Sequence, residues 1–471
     1  MEIIHVSAEC YPVAKAGGLG DVVGALPKYQ CKAGHYAKVV MPMYKTKFVA
    51  ENEFIIDYKG KANLGSYFFD FTVFKEKYNK LGFDLFLVLI EGLTDRENIY
   101  SYSDDTERFM AFQIATLNWI NQWQHLPDII HCHDHHSALI PFMMQHCFAY
   151  KRLIDIPSVL TLHNAQYQGW MGWDKSFYIP EWDSWKAGLL DWKNMINPLA
   201  CGIRCAWKVT TVSWTYMHEL RQDSKGLEEL FEYEKGKCIG ILNGIDTEIW
   251  NPETDSYLKY HYNSDDVSNG KRWNKQALCK DYNLDSKVPL IIFIGRLVGE
   301  KAADVLPDAF ATVLYNKPQQ ASFLIAGSGE PDIEWRLSEM NNRYPGYYHA
   351  EIGYNEGLAH KMYASADFLI MPSRVEPCGL NQLYSMRYGT VPMVRRTGGL
   401  LDTVTDMGDP EGFGILFNHA NIEDIDYSIG RAISVYEDKK QMKWMRKHMM
   451  EIDHSWENTV QQYINLYQSL K

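Results

Sequence analysis

IIHVSAECYPVAKAGGLGDVVGALPKY, residues 3–29, joins a short apolar run to a helical run through the glycine-rich turn KAGGLGD, residues 15–21. A strand, a glycine turn and a helix in this order begin a βαβ unit. Backbone N–H groups of such a turn can approach an anion at the helix N-terminus, and Lys15 adds a positive charge. The stretch predicts a parallel α/β sheet with an anion-binding turn after its first strand.

The turn excludes two common phosphate-binding patterns. It lacks the GxGxxG spacing of dinucleotide-binding folds, and it lacks the terminal GK[ST] of a P-loop. Hydride transfer and NTP hydrolysis therefore lose their main support. Taken alone, the glycine pair is also compatible with a purely structural turn.

Short apolar runs continue to alternate with helical-period segments along the chain. In the first half, strands are predicted at Ile3–Val6, Leu85–Ile90, Ile129–His131, Val159–Leu162 and Val209–Val212. In the second half, strands are predicted at Leu290–Ile294, Phe323–Ile325, Phe368–Met371 and Val391–Val394. Helices are predicted at Thr106–Trp123, Leu358–Ser365, Gln382–Tyr388 and Trp456–Leu470. This pattern predicts two doubly wound α/β domains in tandem.

The turn-rich stretch NGIDTEIWNPETD, residues 243–255, is the predicted joint between the domains. We assign residues 1–245 to a first Rossmann-like domain and residues 246–455 to a second. Residues 456–471 form a C-terminal helix whose packing partner is left open, the first domain included. The two domains are expected to face a central cleft, because ligands of open α/β sheets bind at the carboxyl ends of the strands.

Composition narrows the functional classes. Of the 471 residues, 46% are apolar and 23% are charged, the balance of an ordinary globular protein. A formal net charge of −12 argues against nucleic-acid binding, which depends on clustered Lys and Arg. Nine scattered cysteines without a CxxC pair favour reduced thiols and a cytoplasmic protein. No secretory signal pattern and no membrane-length apolar run are present, so no membrane partner is expected.

Two polar clusters follow predicted strands in the first domain. HCHDHHSAL, residues 131–139, holds four histidines and an aspartate, but its spacing differs from that of an HExxH zinc site. A polar strand end facing the cleft is favoured, and a metal site is the alternative. TLHNAQYQG, residues 161–169, places His163 and Asn164 just past an apolar run. Tyr167 then opens an aromatic segment whose rings either stack on sugar or pack the loop onto its own domain.

The second domain carries two further clusters. Arg296 and Lys301 follow the strand LIIFI, where two cations suit a diphosphate leaving group, with a surface pair as the alternative. Glu376 precedes the turn Pro377–Gly379 and is placed to meet sugar hydroxyls. The backbone amides that open the next helix, in residues 379–381, are expected to face phosphate.

The ordered set KAGGLGDV, HCHDHHSAL, TLHNAQYQG, ILNGIDTEIWNPETD, EPCGLNQLYSMRYGT and VRRTGGLLDTV resembles bacterial glycogen synthases and plant starch synthases, along nearly the whole chain. The resemblance implies the GT-B fold, with two Rossmann-like domains facing a central cleft. It also implies retaining transfer of glucose from ADP-glucose to an α-1,4-glucan, glycogen or a maltooligosaccharide. Neither a metal ion nor another cofactor is expected.

The resemblance further implies roles for individual residues. The catalytic set would be Lys15, His163, Arg296, Lys301 and Glu376. The donor would contact Lys15, Gly17, Gly18, Arg296, Lys301, Tyr354, Glu376, Cys378, Gly379, Leu380 and Asn381. The sugar and acceptor site would hold Asp21, Asp134, His136, Asn164, Tyr167 and Asn243. Within the donor set, Tyr354 would stack on the adenine.

The sequence departs from the family pattern at several positions. His135 stands where the HDWH-type motif has Trp, Glu300 and Ala302 stand in a loop that usually reads QKG, and Asn381 replaces a usual Thr. The stretch 222–234 is also short, which implies a reduced acceptor surface.

Three alternative functions stay open from the sequence. Glucan phosphorylase shares the fold but needs a lysine-bound pyridoxal phosphate and a longer chain. A GT-B transferase that uses UDP-glucose, and a catalytically inactive glucan-binding protein, are the other two.

Overall fold

The computed structural model describes residues 1–353 and 355–471. Contacts divide these residues into two compact units. Unit 1 comprises Met1–Asn243 together with Trp456–Lys471, and unit 2 comprises Gly244–Ser455. Each unit is a doubly wound α/β structure, as the alternation of apolar runs and helical segments predicts.

Unit 1 is built on a nine-stranded sheet with the strand order β11-β10-β7-β6-β1-β2-β5-β4-β3. Its strands are β1 (Glu2–Val6), β2 (Tyr36–Pro42), β3 (Phe54–Leu64), β4 (Tyr67–Glu76), β5 (Asp84–Leu89), β6 (Ile129–His133), β7 (Ser158–Leu162), β10 (Lys208–Thr211) and β11 (Cys238–Gly240), with β8 (Asp191–Trp192) and β9 (Met195–Ile196) forming a separate ribbon. The sheet is parallel from β11 to β5, and β4 pairs antiparallel with both β5 and β3. Central strands β6 and β7 are buried along their whole length, and the buried positions of β6 include His131 and His133.

Helices cover this sheet. They are α1 (Gly18–Lys32), α2 (Lys47–Glu51), α3 (Asp105–Asn121), α4 (Ile140–His146), α5 (Ala187–Leu190), α6 (Pro198–Cys205), α7 (Trp214–Glu219) and α8 (Glu228–Tyr233). The α6 helix shows why these segments start where they do. Its cap residue Asn197 accepts a hydrogen bond from Ala200 N at 3.0 Å, and Pro198 occupies the first turn, where no backbone N–H is needed.

Unit 2 is built on a six-stranded parallel sheet with the order β14-β13-β12-β15-β16-β17. Its strands are β12 (Leu290–Ile294), β13 (Ser322–Gly327), β14 (Tyr348–Ile352), β15 (Phe368–Met371), β16 (Val391–Arg395) and β17 (Ile415–Phe417). Its helices are α9 (Val267–Asp281), α10 (Leu306–Asn316), α11 (Pro331–Glu339), α12 (Glu356–Ser365), α13 (Asn381–Arg387), α14 (Gly398–Thr403), α15 (Ile422–Glu437) and α16 (Lys439–Glu451).

The last helix, α17 (Trp456–Gln468), belongs to unit 1 by its contacts. Trp456, Tyr463 and Tyr467 join one buried apolar cluster with Val22 and Leu26 of α1. The question of where the C-terminal helix packs, which the sequence left open, is thus answered by an apolar stripe that faces α1.

Every predicted strand and helix is observed, with ends that differ by no more than two residues. The β3–β4 hairpin was not predicted. Its outer strand alternates more buried and exposed positions only from Tyr58 onward, and its start exposes large apolar side chains such as Ile55 and Ile56. No helix in the described ranges is both long enough and apolar enough to cross a membrane.

The strand order determines which chain segments meet. The parallel strands β1, β6 and β7 are neighbours, so the residues that follow Val6, His133 and Leu162 come to one edge of the unit 1 sheet. Strands β12 and β15 are neighbours in unit 2, which brings the residues after Ile294 and Met371 together. These two edges carry most of the residues that the sequence singles out.

Candidate active site

The backbone of the glycine turn of unit 1 is hydrogen-bonded by Glu9, a residue that no sequence motif indicated. The Glu9 carboxylate is 3% exposed and accepts hydrogen bonds from Ala16 N at 2.6 Å and Gly17 N at 2.9 Å. Tyr100 donates its hydroxyl to the other carboxylate oxygen at 2.6 Å. The signal in the sequence was an acid shortly after the first strand, because such a residue can reach the amides of the turn that follows.

Lys15 and Asp21, which the sequence assigned to donor and sugar contacts, lie together. Lys15 Nζ donates to Asp21 Oδ1 at 2.7 Å, with side chains 39% and 27% exposed. Gly17 and Gly18 leave room beside this pair, because a Cβ at either position would meet no atom within 4 Å. Packing therefore does not require glycine at these two positions.

Asp134 connects the ends of β6 and β7. Its Oδ1 accepts from His163 N at 2.7 Å and from Asn164 N at 3.5 Å. The residue has a φ of +54°, a backbone conformation that costs energy for any residue other than glycine. Burial raises the pKa of the Asp134 carboxyl to about 7, although the two backbone N–H groups favour its charged form.

His163 points its ring into unit 1, where its Nε2 lies 3.0 Å from His133 Nδ1. Burial lowers the pKa of His163 to about 3, so the imidazole is neutral at neutral pH. Asn164 is half-buried, and its Oδ1 accepts from Gln166 N at 3.0 Å in a local turn. Tyr167, in contrast, is 60% exposed.

The histidine-rich cluster separates into a buried group and a packing pair. Among the described residues, His5, His131 and His133 lie close enough to hold a metal ion. The ring nitrogens of these three histidines already hydrogen-bond one another or neighbouring polar side chains, which accounts for the group without an ion. All three rings are fully buried, so the prediction of a polar strand end that faces the cleft is wrong for them, and the metal alternative stays a prediction.

His135 and His136 pack against other side chains. His136 is buried and stacks on Tyr100, with ring centroids 4.8 Å apart. The His135 ring covers Gly169, where an added Cβ would lie 2.7 Å from His135 Cδ2. Gly169 has a φ of +75°, so glycine is favoured there both by the backbone and by the ring.

The aromatic segment after Tyr167 contains both packed and exposed rings, so packing onto unit 1 explains some of them and sugar stacking stays a prediction. Trp185 is 91% exposed. Trp173, Trp182 and Trp192 pack against the unit 1 core. Asn243, at the end of unit 1, is 7% exposed, and its Oδ1 has no hydrogen-bond partner among the described residues.

In unit 2, both predicted cations are paired with carboxylates. Lys301 Nζ donates to Glu376 Oε2 at 2.6 Å, and Ser373 Oγ donates to the same oxygen at 2.9 Å. Glu376 is 7% exposed, so the pair is largely shielded from water. Arg296 Nη2 lies 3.3 Å from Glu300 Oε2, with the guanidinium side chain 55% exposed. The Glu300 departure from the family pattern therefore supplies the partner of Arg296.

The Ala302 departure has a backbone consequence. Ala302 ends the 3₁₀ turn Gly299–Lys301 with a φ of +53° and a ψ of +30°, the left-handed region that glycine prefers. An alanine in this conformation costs about 1 kcal/mol relative to a relaxed backbone. The side chain is fully buried, so surrounding packing holds the turn in place.

The loop from Glu376 to Asn381 is shaped by the second glycine turn. A Cβ at Gly398 would lie 2.0 Å from Glu376 O, and a Cβ at Gly399 would lie 2.1 Å from Cys378 O. Both glycines are required by close backbone packing. Gly379 has a φ of +73°, and Leu380 is the cap residue of α13.

Asn381, the first residue of α13, donates its side-chain amide to Ile294 O at 2.6 Å. This bond ties the start of the helix to the end of β12, so the replacement of Thr by Asn serves local structure. Cys378 is buried at 4% exposure, as the small-residue interpretation of a cysteine predicts. Tyr354, the predicted adenine contact, lies outside the described residues.

Family comparisons cover both units. Residues 2–233 match the family described as starch synthase catalytic domain, and residues 274–448 match glycosyl transferases group 1. A glycogen synthase from Flavobacterium johnsoniae is 51% identical over 467 residues, covering 99% of this chain and 98% of that protein. A glycogen synthase from Streptococcus pneumoniae is 35% identical over 484 residues, covering all of both chains.

Solved structures agree with the sequence relatives. The catalytic domain of starch synthase IV from Arabidopsis thaliana, bound to ADP and acarbose, superposes with a TM-score of 0.89 at 31% identity, covering 100% of this chain and 99% of that one. Sucrose-phosphate synthase from Thermosynechococcus elongatus matches with a TM-score of 0.65 at 16% identity, covering 100% of this chain and 98% of that one, and shows the fold alone. The predicted GT-B class and the resemblance are confirmed. The chain belongs to the glycogen and starch synthase family and is a glycosyltransferase.

Proposed function

We propose that the enzyme transfers glucose from ADP-glucose to the non-reducing end of an α-1,4-glucan, with retention at the anomeric carbon and release of ADP. The bond between the anomeric carbon and the diphosphate oxygen breaks, and a bond to an acceptor hydroxyl oxygen forms. The hydroxyl proton leaves with the departing phosphate. Relatives named glycogen synthase support the reaction, and the starch synthase IV structure with ADP and acarbose supports the ligand classes.

The observation that carries the proposal is the largely buried Lys301–Glu376 pair, with Arg296 on the same loop after β12 as Lys301. Its carboxylate can accept hydrogen bonds from sugar hydroxyls, while the ammonium and guanidinium groups neutralise the charge that develops on a leaving diphosphate. Glu376 and Glu300 hold the two cations in place through these ion pairs. The amides of residues 378–381 are proposed to complete the phosphate contacts.

In unit 1, Lys15 is proposed to bind donor phosphate, and Gly17 and Gly18 keep the backbone beside it open for that approach. His163, Asp134 and Asn164 are proposed to meet the donor sugar and the acceptor. Because the His163 imidazole is neutral, it contributes a dipole and a hydrogen bond rather than a charge. His136, Tyr167, Asp21 and Asn243 stay predicted members of the acceptor side.

The test offers labelled ADP-glucose or UDP-glucose with glycogen, with and without EDTA, and measures incorporation. We expect incorporation from ADP-glucose that EDTA does not reduce. No incorporation from either donor would contradict the synthase function. A preference for UDP-glucose would contradict the base assignment, and loss of activity in EDTA would contradict a reaction without metal.

Two charge variants test the phosphate contacts within the same assay. Removing one charge-matched contact costs about 3 kcal/mol, so Lys15→Ala and Arg296→Ala are each expected to lower kcat about 100-fold. Lys47→Ala removes a lysine whose side chain is 85% exposed and serves as the matched control. Near-normal kcat in either test variant at saturating donor would remove that residue from the proposed phosphate site.

A further inference from the structure

Four histidines of unit 1 lie close together across three neighbouring strands. His5 is on β1, His131 and His133 are on β6, and His163 follows β7. In the parallel pairing of β1 with β6, His5 lies beside His131. In the pairing of β6 with β7, His133 lies beside Thr161, which is two positions before His163. All four side chains are buried, at 8% exposure or less.

Three of these imidazoles form an unbroken hydrogen-bonded chain that begins on α1. Gln30 Oε1 lies 2.8 Å from His5 Nε2, and His5 Nδ1 lies 3.0 Å from His133 Nε2. His133 Nδ1 lies 3.0 Å from His163 Nε2. Burial lowers the pKa of His5 to about 4 and that of His133 well below its usual range, so both rings are neutral.

A neutral imidazole has one N–H and one acceptor nitrogen, so every link of the chain must run in the same direction. Gln30 Nε2 donates to Tyr467 OH at 3.2 Å, which turns the amide oxygen toward His5. His5 then donates through Nε2 and accepts through Nδ1. His133 does the same, and the last N–H is on His163 Nε2.

A fourth ring supports this direction. Tyr467 OH lies 2.7 Å from His131 Nδ1, and His131 Nε2 lies 2.6 Å from Thr161 Oγ1. Since Tyr467 accepts from Gln30, its own proton goes to His131 Nδ1, and His131 donates through Nε2. All four rings therefore carry the proton on Nε2, the tautomer that a neutral histidine prefers intrinsically. The opposite direction would place all four in the less favourable form.

We propose that Gln30, His5 and His133 are positioning residues that hold His163 as the Nε2–H tautomer and leave its Nδ1 as a hydrogen-bond acceptor for a hydroxyl group of the sugar. His163 Nδ1 makes no hydrogen bond to any described residue, which leaves this acceptor available. The inference deepens the proposed function and rests on it for the identity of the sugar. The far end of the chain lies on α1, the helix that the glycine turn opens.

The direct test is the tautomer of His163 in the unliganded wild-type protein. Histidine labelled with ¹⁵N distinguishes a protonated ring nitrogen from an unprotonated one by its chemical shift, and the His163 signals are assigned from a His163→Gln sample. We expect a neutral ring with a protonated Nε2 and an unprotonated Nδ1. A protonated Nδ1, or a mixture of tautomers, would overturn the proposal.

This spectrum requires neither donor nor acceptor. It therefore separates the inference from the proposed function. Failure to incorporate glucose would contradict the function while the tautomer result stood. A stoichiometric metal ion that EDTA removes, with a shift of the His133 signals, would show that the imidazoles are ligands and would also overturn the chain.

Two variants compare equally buried imidazoles on one strand. His133→Leu breaks the chain to His163, whereas His131→Leu removes a ring that does not bond His163. We expect mixed His163 tautomers only in His133→Leu. Its kcat should fall about tenfold with little change in the donor KM, by analogy with partners that orient metal-binding imidazoles.

Equal changes of the His163 tautomer in the two variants, or no change in His133→Leu, would refute the role of the hydrogen-bonded chain. If His133→Leu does not fold, Gln30→Met serves as the second variant. It removes the amide oxygen that fixes the direction of the chain while keeping a side chain of similar length. Mixed His163 tautomers are expected there too, and an unchanged single tautomer would count against the proposal.

Discussion

Replacing Asp134 by Asn should stabilise the protein at neutral and alkaline pH while impairing its activity. Asparagine has the same shape and keeps an oxygen that can accept from His163 N and Asn164 N. It removes the carboxyl whose charged form is penalised by burial. The difference in unfolding free energy between wild type and Asp134→Asn therefore measures what it costs to keep an ionised carboxylate buried at the end of β6.

The sign and size follow from the pKa. The carboxyl has its ordinary pKa of 3.8 in the unfolded chain and a raised value of about 7 in the folded protein. Between these two pKa values the Asp134 carboxyl is protonated in the folded protein and ionised in the unfolded chain. The free energy of unfolding therefore falls as pH rises, and the whole decrease is present above pH 7. At about 1.4 kcal/mol per tenfold change in proton affinity, the cost reaches about 4 kcal/mol.

Urea denaturation of wild type and Asp134→Asn, at a series of pH values from about 4 to about 8, measures this difference. We expect the advantage of the variant to grow over that range by a few kcal/mol. Asp70→Asn, at a carboxylate whose side chain is 78% exposed, is the control and should show no such growth. A difference between wild type and Asp134→Asn that does not change with pH would refute the reasoning.

Three further predictions concern the remaining site contacts. Glu9→Gln weakens the hydrogen bonds to the glycine turn, so the free energy of unfolding in urea should fall by about 1–3 kcal/mol and kcat should also fall. Unchanged values of both quantities would contradict the role of Glu9. Gly18→Ala should raise the donor KM without lowering the free energy of unfolding, because its Cβ meets no atom. Gly398→Ala should lower the free energy of unfolding by about 1–3 kcal/mol, because its Cβ would clash with backbone atoms. Lys301→Met should destabilise the protein by about 3 kcal/mol by leaving Glu376 unpaired, and adding Glu376→Gln should recover part of that loss. Additive effects in this double-mutant cycle would show that the two residues do not interact.

The positions of single functional residues could be read from the sequence because they follow a local rule. His163 directly follows strand β7, and Lys15 and Glu376 lie in the loops that follow β1 and β15. The carboxyl end of a parallel strand is where ligands of this fold class bind. The contacts that these residues make could not be predicted from the sequence. Lys301 and Glu376 are 75 positions apart, and they meet because β12 and β15 are neighbours in the sheet.

Glu9 and the histidine chain show what pattern alone misses. Glu9 had no motif partner in the sequence, since its carboxylate accepts from backbone amides of the following turn and from Tyr100, which is 91 positions away. His5 and His133 are 128 positions apart, and their contact requires β1 to lie beside β6. A cluster of histidines could therefore be recognised, while its hydrogen bonds and the protonation of each ring could not.

Hydrophobic periodicity and ordered motifs are local properties of the chain, so the order and type of the elements, the two-unit α/β plan and the family can be predicted from the residues alone. Which strand ends meet, where α17 packs and which polar groups become buried partners is visible only in the folded chain. Those outcomes depend on strand order and on burial, which neither residue spacing nor composition encodes. The tautomer proposed for His163 belongs to the second kind, because it depends on a glutamine of α1 that is 133 positions away.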